Sequence, residues 1–262
     1  MSKIYTKEDV IVAKKQCFKK LNTLLESLMA ESGATNVIGH LKKAALISKW
    51  ISQYTNYISY EEKFTPYRLI NYKRGDIVFV NFGFNIGSEF GGEHYAVVID
   101  KNNDRNSSTV TVVPLSSYKP EKELHKNDLY LGNELFEKLS LKLRTLTPQL
   151  REKSVNNELL LNLVKDKRAL NSDLDELDAL LTKLEKENDQ LSRELDKAES
   201  IKNELLTLKQ GSIAKIQQIT TISKMRIYNP KNTSDPLYGI RFSEKTMKLI
   251  NTKLKEFYIF DE

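Results

Sequence analysis

Residues 74–117 read RGDIVFVNFGFNIGSEFGGEHYAVVIDKNNDRNSSTVTVVPLSS. This stretch contains three apolar runs, at residues 77–80, 95–99 and 110–113, each rich in β-branched residues and bounded by Gly, Asn, Asp or Ser. The pattern predicts three consecutive β-strands. The first connection, residues 83–93, carries four glycines and two carboxylates, Glu89 and Glu93. Glycine-rich loops of this length are usually mobile and often functional, so this loop is the first candidate for a site.

Around this stretch, helical and extended patterns alternate. Residues 6–63 predict two helices, with a stop at residues 31–34, a second start capped by Asn36, and an end at Pro66. We expect this pair to pack on the strand domain, and the alternative is a partner-binding or self-inhibiting arm. Further strands are predicted at residues 127–131, 213–216 and 219–222, a turn or short helix at 223–226, and a C-terminal helix capped by Ser243.

The charge of the chain is unevenly distributed. The 262 residues have a net charge of +6, but residues 132–209 hold 14 Lys/Arg and 16 Asp/Glu, whereas the remainder holds 27 and 19. The excess of positive charge therefore lies outside this segment, where it would attract a polyanion such as RNA. Ordinary solubilising charge is the alternative explanation.

Several classes of protein are disfavoured. Cys17 is the single cysteine, so no internal disulfide forms and a reducing cytosol is the simplest setting. The N-terminus lacks the apolar core of a signal peptide, and no apolar run is long enough to cross a membrane. Three histidines and one cysteine cannot make a convincing zinc site. We expect a cytoplasmic protein that contacts no membrane.

Five ordered segments resemble the MazF/PemK/Kid toxins of bacterial toxin–antitoxin modules. They are RGDIVFVNF at residue 74, GSEFGG at 87, AVVI at 96, VVPLSS at 112 and QQITTISKMRI at 217. The resemblance covers residues 72–131 and 210–262. It implies an α+β fold built on a small SH3-like β-barrel, also shared by the gyrase poison CcdB. The expected domains are an N-terminal helical region at 1–66, a barrel at 67–131 and 210–262, and an insertion at 132–209.

The insertion predicts a coiled coil. Its leucines recur at alternating spacings of three and four residues in two series, 139–164 and 170–205, on either side of a break at residues 168–173 where Asn171 and Ser172 could cap a new helix. Since both flanks belong to one small domain by the resemblance, an antiparallel hairpin is expected. Pro148 must then kink the first arm. The alternative is a single helix from Pro148 to Lys209 that pairs with another chain. In the hairpin case, we expect the insertion to contribute only two attachment points to the barrel.

The resemblance also implies a reaction. Members of this family are metal-independent endoribonucleases that cut single-stranded RNA, usually as homodimers, and are held inactive by a cognate antitoxin. No cofactor is expected. Such cleavage uses the 2′-OH of the RNA as nucleophile and leaves a 2′,3′-cyclic phosphate and a 5′-OH. It needs a proton acceptor, a proton donor and donors to the charged phosphorane.

The resemblance places the catalytic residues at two positions. The family's arginine after the glycine-rich loop corresponds to His94 here, and its Thr or Ser at the end of the third strand corresponds to Ser116. Histidine can transfer protons near neutral pH, which arginine cannot, so His94 is expected to act as acid or base. The expected RNA-binding residues are Glu89, Lys101, Asn102, Gln218, Thr220 and Thr221. The competing hypotheses are a non-catalytic toxin or sensor that binds a protein, and a scaffold in which the coiled coil is the active part.

Overall fold

The computed structural model describes residues 5–30, 37–170 and 174–259. The chain divides into two compact units, Met1–Phe64 and Thr65–Glu262. In the described residues, no helix is both long and apolar enough to cross a membrane.

The first unit is a pair of helices, α1 (Lys7–Ala30) and α2 (Val37–Tyr60). α1 begins with a capping box, in which the Thr6 hydroxyl accepts from the Asp9 N–H and the Asp9 carboxylate accepts from the Thr6 N–H. The side chains of Leu28, Ala44 and Ile47 are buried in this pair. The two predicted helices are confirmed. The stop predicted at residues 31–34 and the cap at Asn36 lie outside the described residues.

The described part of the second unit is built on seven antiparallel strands. They are β1 (Ile77–Asn81), β2 (Glu93–Val98), β3 (Thr109–Ser117), β4 (Asp128–Gly132), β5 (Ser212–Lys215), β6 (Thr220–Ser223) and β7 (Ile227–Asn229). Short 3-10 helices follow β5 and β6, at Ile216–Gln218 and Lys224–Arg226. The six strands predicted from sequence are confirmed, and β7 was missed. The mixed class of helix and antiparallel sheet is therefore correct.

The strand order is β4-β5-β3-β2-β1-β7, with β6 also paired to β3. β3 is the longest strand and pairs with β2 and with two further strands: Val110 pairs with Ile222 of β6, and Leu115 pairs with Ala214 of β5. The sheet is not closed. β4 and β7 are its end strands, and within the described ranges they do not pair with each other.

Alternation along the strands creates two apolar clusters, one on each face of the sheet. Val78, Val80, Ala96, Val98 and Val112 contribute to one cluster, together with Tyr72 and Phe82. Their neighbours along the strands, among them Ile77, Val97, Val113 and Leu115, contribute to the other, which also receives side chains from three helices. One of these helices is the C-terminal α5 (Glu244–Tyr258), which Ser243 caps as predicted by accepting from the Thr246 N–H.

The segment between β4 and β5 is an antiparallel helical hairpin. Its arms are α3 (Glu134–Ala169) and α4 (Leu174–Thr207), and side-chain bonds join Lys153 to Glu194 and Asn157 to Asn188. α3 continues through Pro148, so the single helix from Pro148 to Lys209 is wrong. The proposed caps Asn171 and Ser172 lie outside the described residues.

The base of the hairpin is part of the main core, and the expectation of two simple attachment points is wrong. Leu135 and Leu139 of α3 and Ile201 of α4 are buried against Ile77, Val97 and other residues of the sheet. The leucine spacing identified the face of each arm that packs on the other arm. It could not show that the turns of both arms nearest the sheet also pack on the sheet.

This division predicts different outcomes for two deletions. Replacing residues 151–194 with about six Gly/Ser residues, enough to span two packed helices, should leave a folded protein with less helix and the same strand content. Replacing residues 133–209 should prevent folding, because three buried side chains are lost at about 2–5 kcal/mol each. Circular dichroism and urea unfolding measure both. An aggregated short deletion or a stably folded long deletion would contradict the assignment.

Candidate active site at the end of strands β2 and β3

The register of the sheet brings His94 and Ser116 together. The pairing of β2 with β3 ends at Ala96 and Pro114, and the same antiparallel register continued by two residues would set His94 opposite Ser116. His94 also pairs with Val80 of β1. A cavity of about 150 Å³ at this end of the strands is lined by both residues, by Glu93 and Ser117, and by Leu208 and Lys209 after α4. The sequence placed these two residues 22 positions apart, and the fold makes them neighbours.

The His94 ring is held under the glycine-rich loop. Its centroid lies 4.6 Å from that of Phe90. Two glycines allow the loop to close on itself beside this ring. A Cβ at Gly91 would lie 2.8 Å from the carbonyl oxygen of Gly83, and Gly92 has a φ of +89°.

This position alters the acidity of the ring. Burial lowers the pKa of His94, a hydrogen bond with the backbone of Gly91 opposes that effect, and the net pKa lies below its ordinary value of 6.5. The ring is therefore neutral at pH 7 and can accept a proton from a hydroxyl group. The folded protein takes up this proton less readily than the unfolded chain does, so His94 reduces stability as the pH falls through 6.5.

Hydrogen bonds fix the glycine-rich loop from within and from outside. Glu89 accepts from the Ile86 N–H at 3.1 Å. Gln218 accepts from the Phe90 N–H at 3.1 Å and donates to the Ser88 carbonyl at 3.4 Å. Glu89 and Gln218, both expected to bind RNA, are thus bonded to the loop backbone.

The other expected RNA-binding residues lie farther from His94. Lys101 and Asn102 are exposed beyond the opposite end of β2, and seven residues of extended chain from His94 to Lys101 span about 23 Å. Thr220 and Thr221 lie on β6, paired with the first half of β3, where the Thr221 hydroxyl lies 3.1 Å from that of Thr111. The fold does not gather these four residues around His94 and Ser116.

Two polar groups near the site were missed. The Arg226 guanidinium donates to the Asn81 carbonyl at 2.8 Å, at the end of β1 that leads into the glycine-rich loop. Tyr95 donates to the Glu204 carboxylate of α4, and burial, followed by that bond and charge, raises the pKa of Tyr95. Arg226 was visible in the QQITTISKMRI segment, but only the pairing of β7 with β1 shows which strand end it reaches.

The described residues contain no group of three or more His, Cys, Asp or Glu side chains arranged to hold a metal ion.

Residues 73–184 match the family described as the PemK-like, MazF-like toxin of type II toxin–antitoxin system. The match begins before β1 and continues through β4 and α3 into α4. It therefore extends into the hairpin. The resemblance of the five sequence segments implied instead that the hairpin lies outside the family pattern. No curated protein matches the chain. The matched stretch includes the glycine-rich loop, His94 and Ser116, so over these residues the chain is similar to the PemK-like, MazF-like toxins of type II toxin–antitoxin systems.

Proposed function

We propose that this protein is the toxin of such a module and a metal-independent endoribonuclease that cuts single-stranded messenger RNA in the cytoplasm. The observation that carries the proposal is that His94, a histidine of lowered pKa, and the hydroxyl residue Ser116 line one cavity at the end of β2 and β3. A neutral imidazole can take the proton from a 2′-OH, and a hydroxyl donor can stabilise the charge that develops on the phosphate.

In this mechanism, His94 takes the proton from the 2′-OH, and the 2′ oxygen forms a bond to phosphorus. The bond from phosphorus to the 5′ oxygen breaks, and the departing oxygen takes a proton from solvent. The products are a 2′,3′-cyclic phosphate and a 5′-OH. Ser116 donates a hydrogen bond to a non-bridging phosphate oxygen. Other family members have an arginine at the position of His94, and in this chain Arg226 supplies the positive charge instead.

The same proposal covers architecture and partners. We propose an SH3-like arrangement in which β3 bridges two sheets, supported by its pairing with β6 in one half and β5 in the other. The arms of the insertion are proposed to pack as a coiled coil. The family implies a cognate antitoxin protein and a homodimer as partners.

A non-catalytic toxin is the second candidate. Its support is one departure from the family pattern, the histidine at the position of the family's arginine. Such a protein would bind its target through surface contacts and would not depend on His94 or Ser116, so the experiments below separate the two functions.

The first expected result is cleavage without metal. Purified protein incubated with single-stranded RNA in EDTA should yield fragments ending in 2′,3′-cyclic phosphate, identified by mass spectrometry. The His94→Ala variant, purified in the same way, controls for contaminating ribonucleases. Cleavage that requires a divalent cation would contradict the mechanism.

The second set of variants tests the two roles. His94→Ala and Ser116→Ala should each lower kcat/KM by about 10²–10⁴, the range for losing an acid–base group or a charge-stabilising donor. Ser116→Thr keeps the hydroxyl and is the matched control, with near-normal activity.

His94→Arg addresses the departure from the family directly. In the wild type, the acid limb of kcat/KM against pH should fall below pH 6.5, following the lowered pKa of His94. Because arginine does not titrate in this range, the variant should lose that limb and keep part of the activity. Identical pH profiles would show that His94 is not the titrating group.

Gln218 is proposed to position the loop and not to read a base. Gln218→Ala should increase hydrogen exchange at the Phe90 amide about fivefold, because a net hydrogen bond contributes about 1 kcal/mol. Thr221→Ala, a change on the neighbouring strand, should leave that amide unaffected. Equal exchange in all three proteins would rule out the positioning role.

A further inference from the structure

A second cavity lies near the base of the α3–α4 hairpin. It has a volume of about 500 Å³ and lies between α3, α4 and the segment at residues 230–243 that joins β7 to α5. Its described lining contains three lysines, Lys138 and Lys142 on α3 and Lys197 on α4, and no Asp or Glu. None of its described lining residues lines the cavity of His94 and Ser116. The second cavity is therefore a separate, basic site.

Hydrogen bonds hold two of these ammonium groups in place without neutralising them. Lys142 Nζ donates to the carbonyl oxygens of Pro236, at 2.7 Å, and Tyr238, at 2.8 Å. Lys197 Nζ donates to the carbonyl oxygen of Thr233 at 3.3 Å. A lysine ammonium has three N–H donors. The bonds of the described residues therefore leave one donor of Lys142 and two of Lys197 for a ligand, and both positive charges remain.

The two ammonium groups are close enough to repel each other. Burial, followed by the charge of Lys197, lowers the pKa of Lys142 to about 8, and the charge of Asp235 opposes this effect. The charge of Lys197 also acts on Glu194, but that carboxylate bonds to Lys153. An anion placed between Lys142 and Lys197 would relieve the repulsion and favour the charged form of both.

The other walls of the cavity are apolar and aromatic. Leu141 is 58% exposed and Tyr238 is 40% exposed, and both line the cavity together with Ile240. Leu237 and Ile240, on either side of Tyr238, are buried in the main core, so the backbone that carries the exposed ring is anchored. An aromatic face beside fixed cations suits a ligand that has both a flat ring and a negative charge.

We propose that this cavity binds a nucleotide, with its phosphate against Lys142 and Lys197 and its base against Tyr238. A volume of about 500 Å³ suits a ligand of that size, whereas inorganic phosphate would leave most of the cavity unfilled. An acidic peptide would satisfy the lysines but would bring no base to the exposed ring. A free nucleoside phosphate and one nucleotide of an RNA strand present the same chemistry, and the experiments below distinguish them.

Calorimetric titration of the full chain in EDTA tests binding, with adenosine monophosphate (AMP) as the probe. AMP should bind with a dissociation constant below about 1 mM. It should bind more tightly than inorganic phosphate or adenosine, because each of these supplies only part of the contacts. An azido derivative of AMP, photolysed in the complex, should label the tryptic peptide that contains Tyr238.

Substitution of the lysines tests the phosphate contact. Lys197→Gln should weaken AMP binding about tenfold, because a charge-assisted contact is lost. Lys142→Gln should do the same, with its fold checked by circular dichroism because two bonds to residues 236–238 are also lost. Lys165→Gln makes the same change of charge at an exposed lysine about 35 Å farther along α3. This matched control should bind AMP normally. Lys138 is not varied because it already lies 3.4 Å from Glu134.

Substitution of the ring tests the base contact. Tyr238→Ala should weaken AMP binding about tenfold, the scale of losing one stacked base. It should leave the weaker binding of inorganic phosphate unchanged. Tyr238→Phe keeps the ring and is the matched control, with near-normal affinity for AMP.

A 2′-O-methyl oligonucleotide identifies the source of the nucleotide, because it lacks the 2′-OH and cannot be cut. If the oligonucleotide displaces AMP and Lys197→Gln weakens its binding, the cavity holds a nucleotide of an RNA strand. If neither is seen and AMP binds as described, the ligand is a free nucleotide.

Three outcomes would overturn the proposal. The first is that neither AMP nor the oligonucleotide shows binding that depends on Lys197 and Tyr238. The second is an effect of Lys197→Gln with no effect of Tyr238→Ala, which would indicate a site for simple anions. The third is a polyglutamate peptide that binds more tightly than AMP and independently of Tyr238, which would indicate an acidic polypeptide. None of these measurements uses RNA cleavage, so this proposal and the proposed ribonuclease activity can fail separately.

Discussion

The burial of the hairpin base against the sheet is the contact on which the rest of this structure depends. Gly132 at the end of β4 pairs with Ser212 at the start of β5, so the chain must leave and return at one point. Leu135, Leu139 and Ile201 fill the core at that point. The Glu134 carboxylate accepts from the Ser243 N–H and hydroxyl and from the Thr246 hydroxyl, which ties the first turn of α3 to the first turn of α5. Burial alone would raise the pKa of Glu134, but these bonds outweigh it and the pKa is lowered. The carboxylate is therefore ionised at neutral pH and well suited to both helix N-termini.

The same contact reaches the candidate site. Leu135 and Leu208, on the two sides of the hairpin base, line the cavity shared by His94 and Ser116. Tyr95, the residue after His94, bonds to Glu204 of α4. The hairpin is thus part of the wall behind the strand end, although the residues proposed to do chemistry all lie outside it. An insertion placed here can alter the site without contributing a catalytic group, because it sets the backbone positions of β2 and the end of β3.

Much of the fold could be predicted from local patterns, and the failures share one cause. Runs such as Val110–Val113 identify strands because β-branched residues favour extended chain, and regular leucine spacing identified the hairpin. β7 was missed because three residues carry no measurable periodicity. Gln218, expected to bind RNA, bonds to a loop 128 residues earlier in the chain. Lys101 and Asn102 lie beyond the end of β2 that is opposite to His94. Register and direction depend on pairing between distant segments, which local spacing does not contain. His94 and Ser116, taken from the family pattern, could be placed at one cavity only once the pairing of β2 with β3 was known.

The charge of the insertion shows why averages over a segment mislead. Across residues 132–209 the net charge is only −2, as expected for a neutral spacer. The two arms are in fact +3 and −5. Opposite net charge favours packing of the basic arm on the acidic arm of the same chain, and the Lys153–Glu194 contact is one instance of it. The difference in charge between the arms, which the average over the segment hides, therefore supports the hairpin itself.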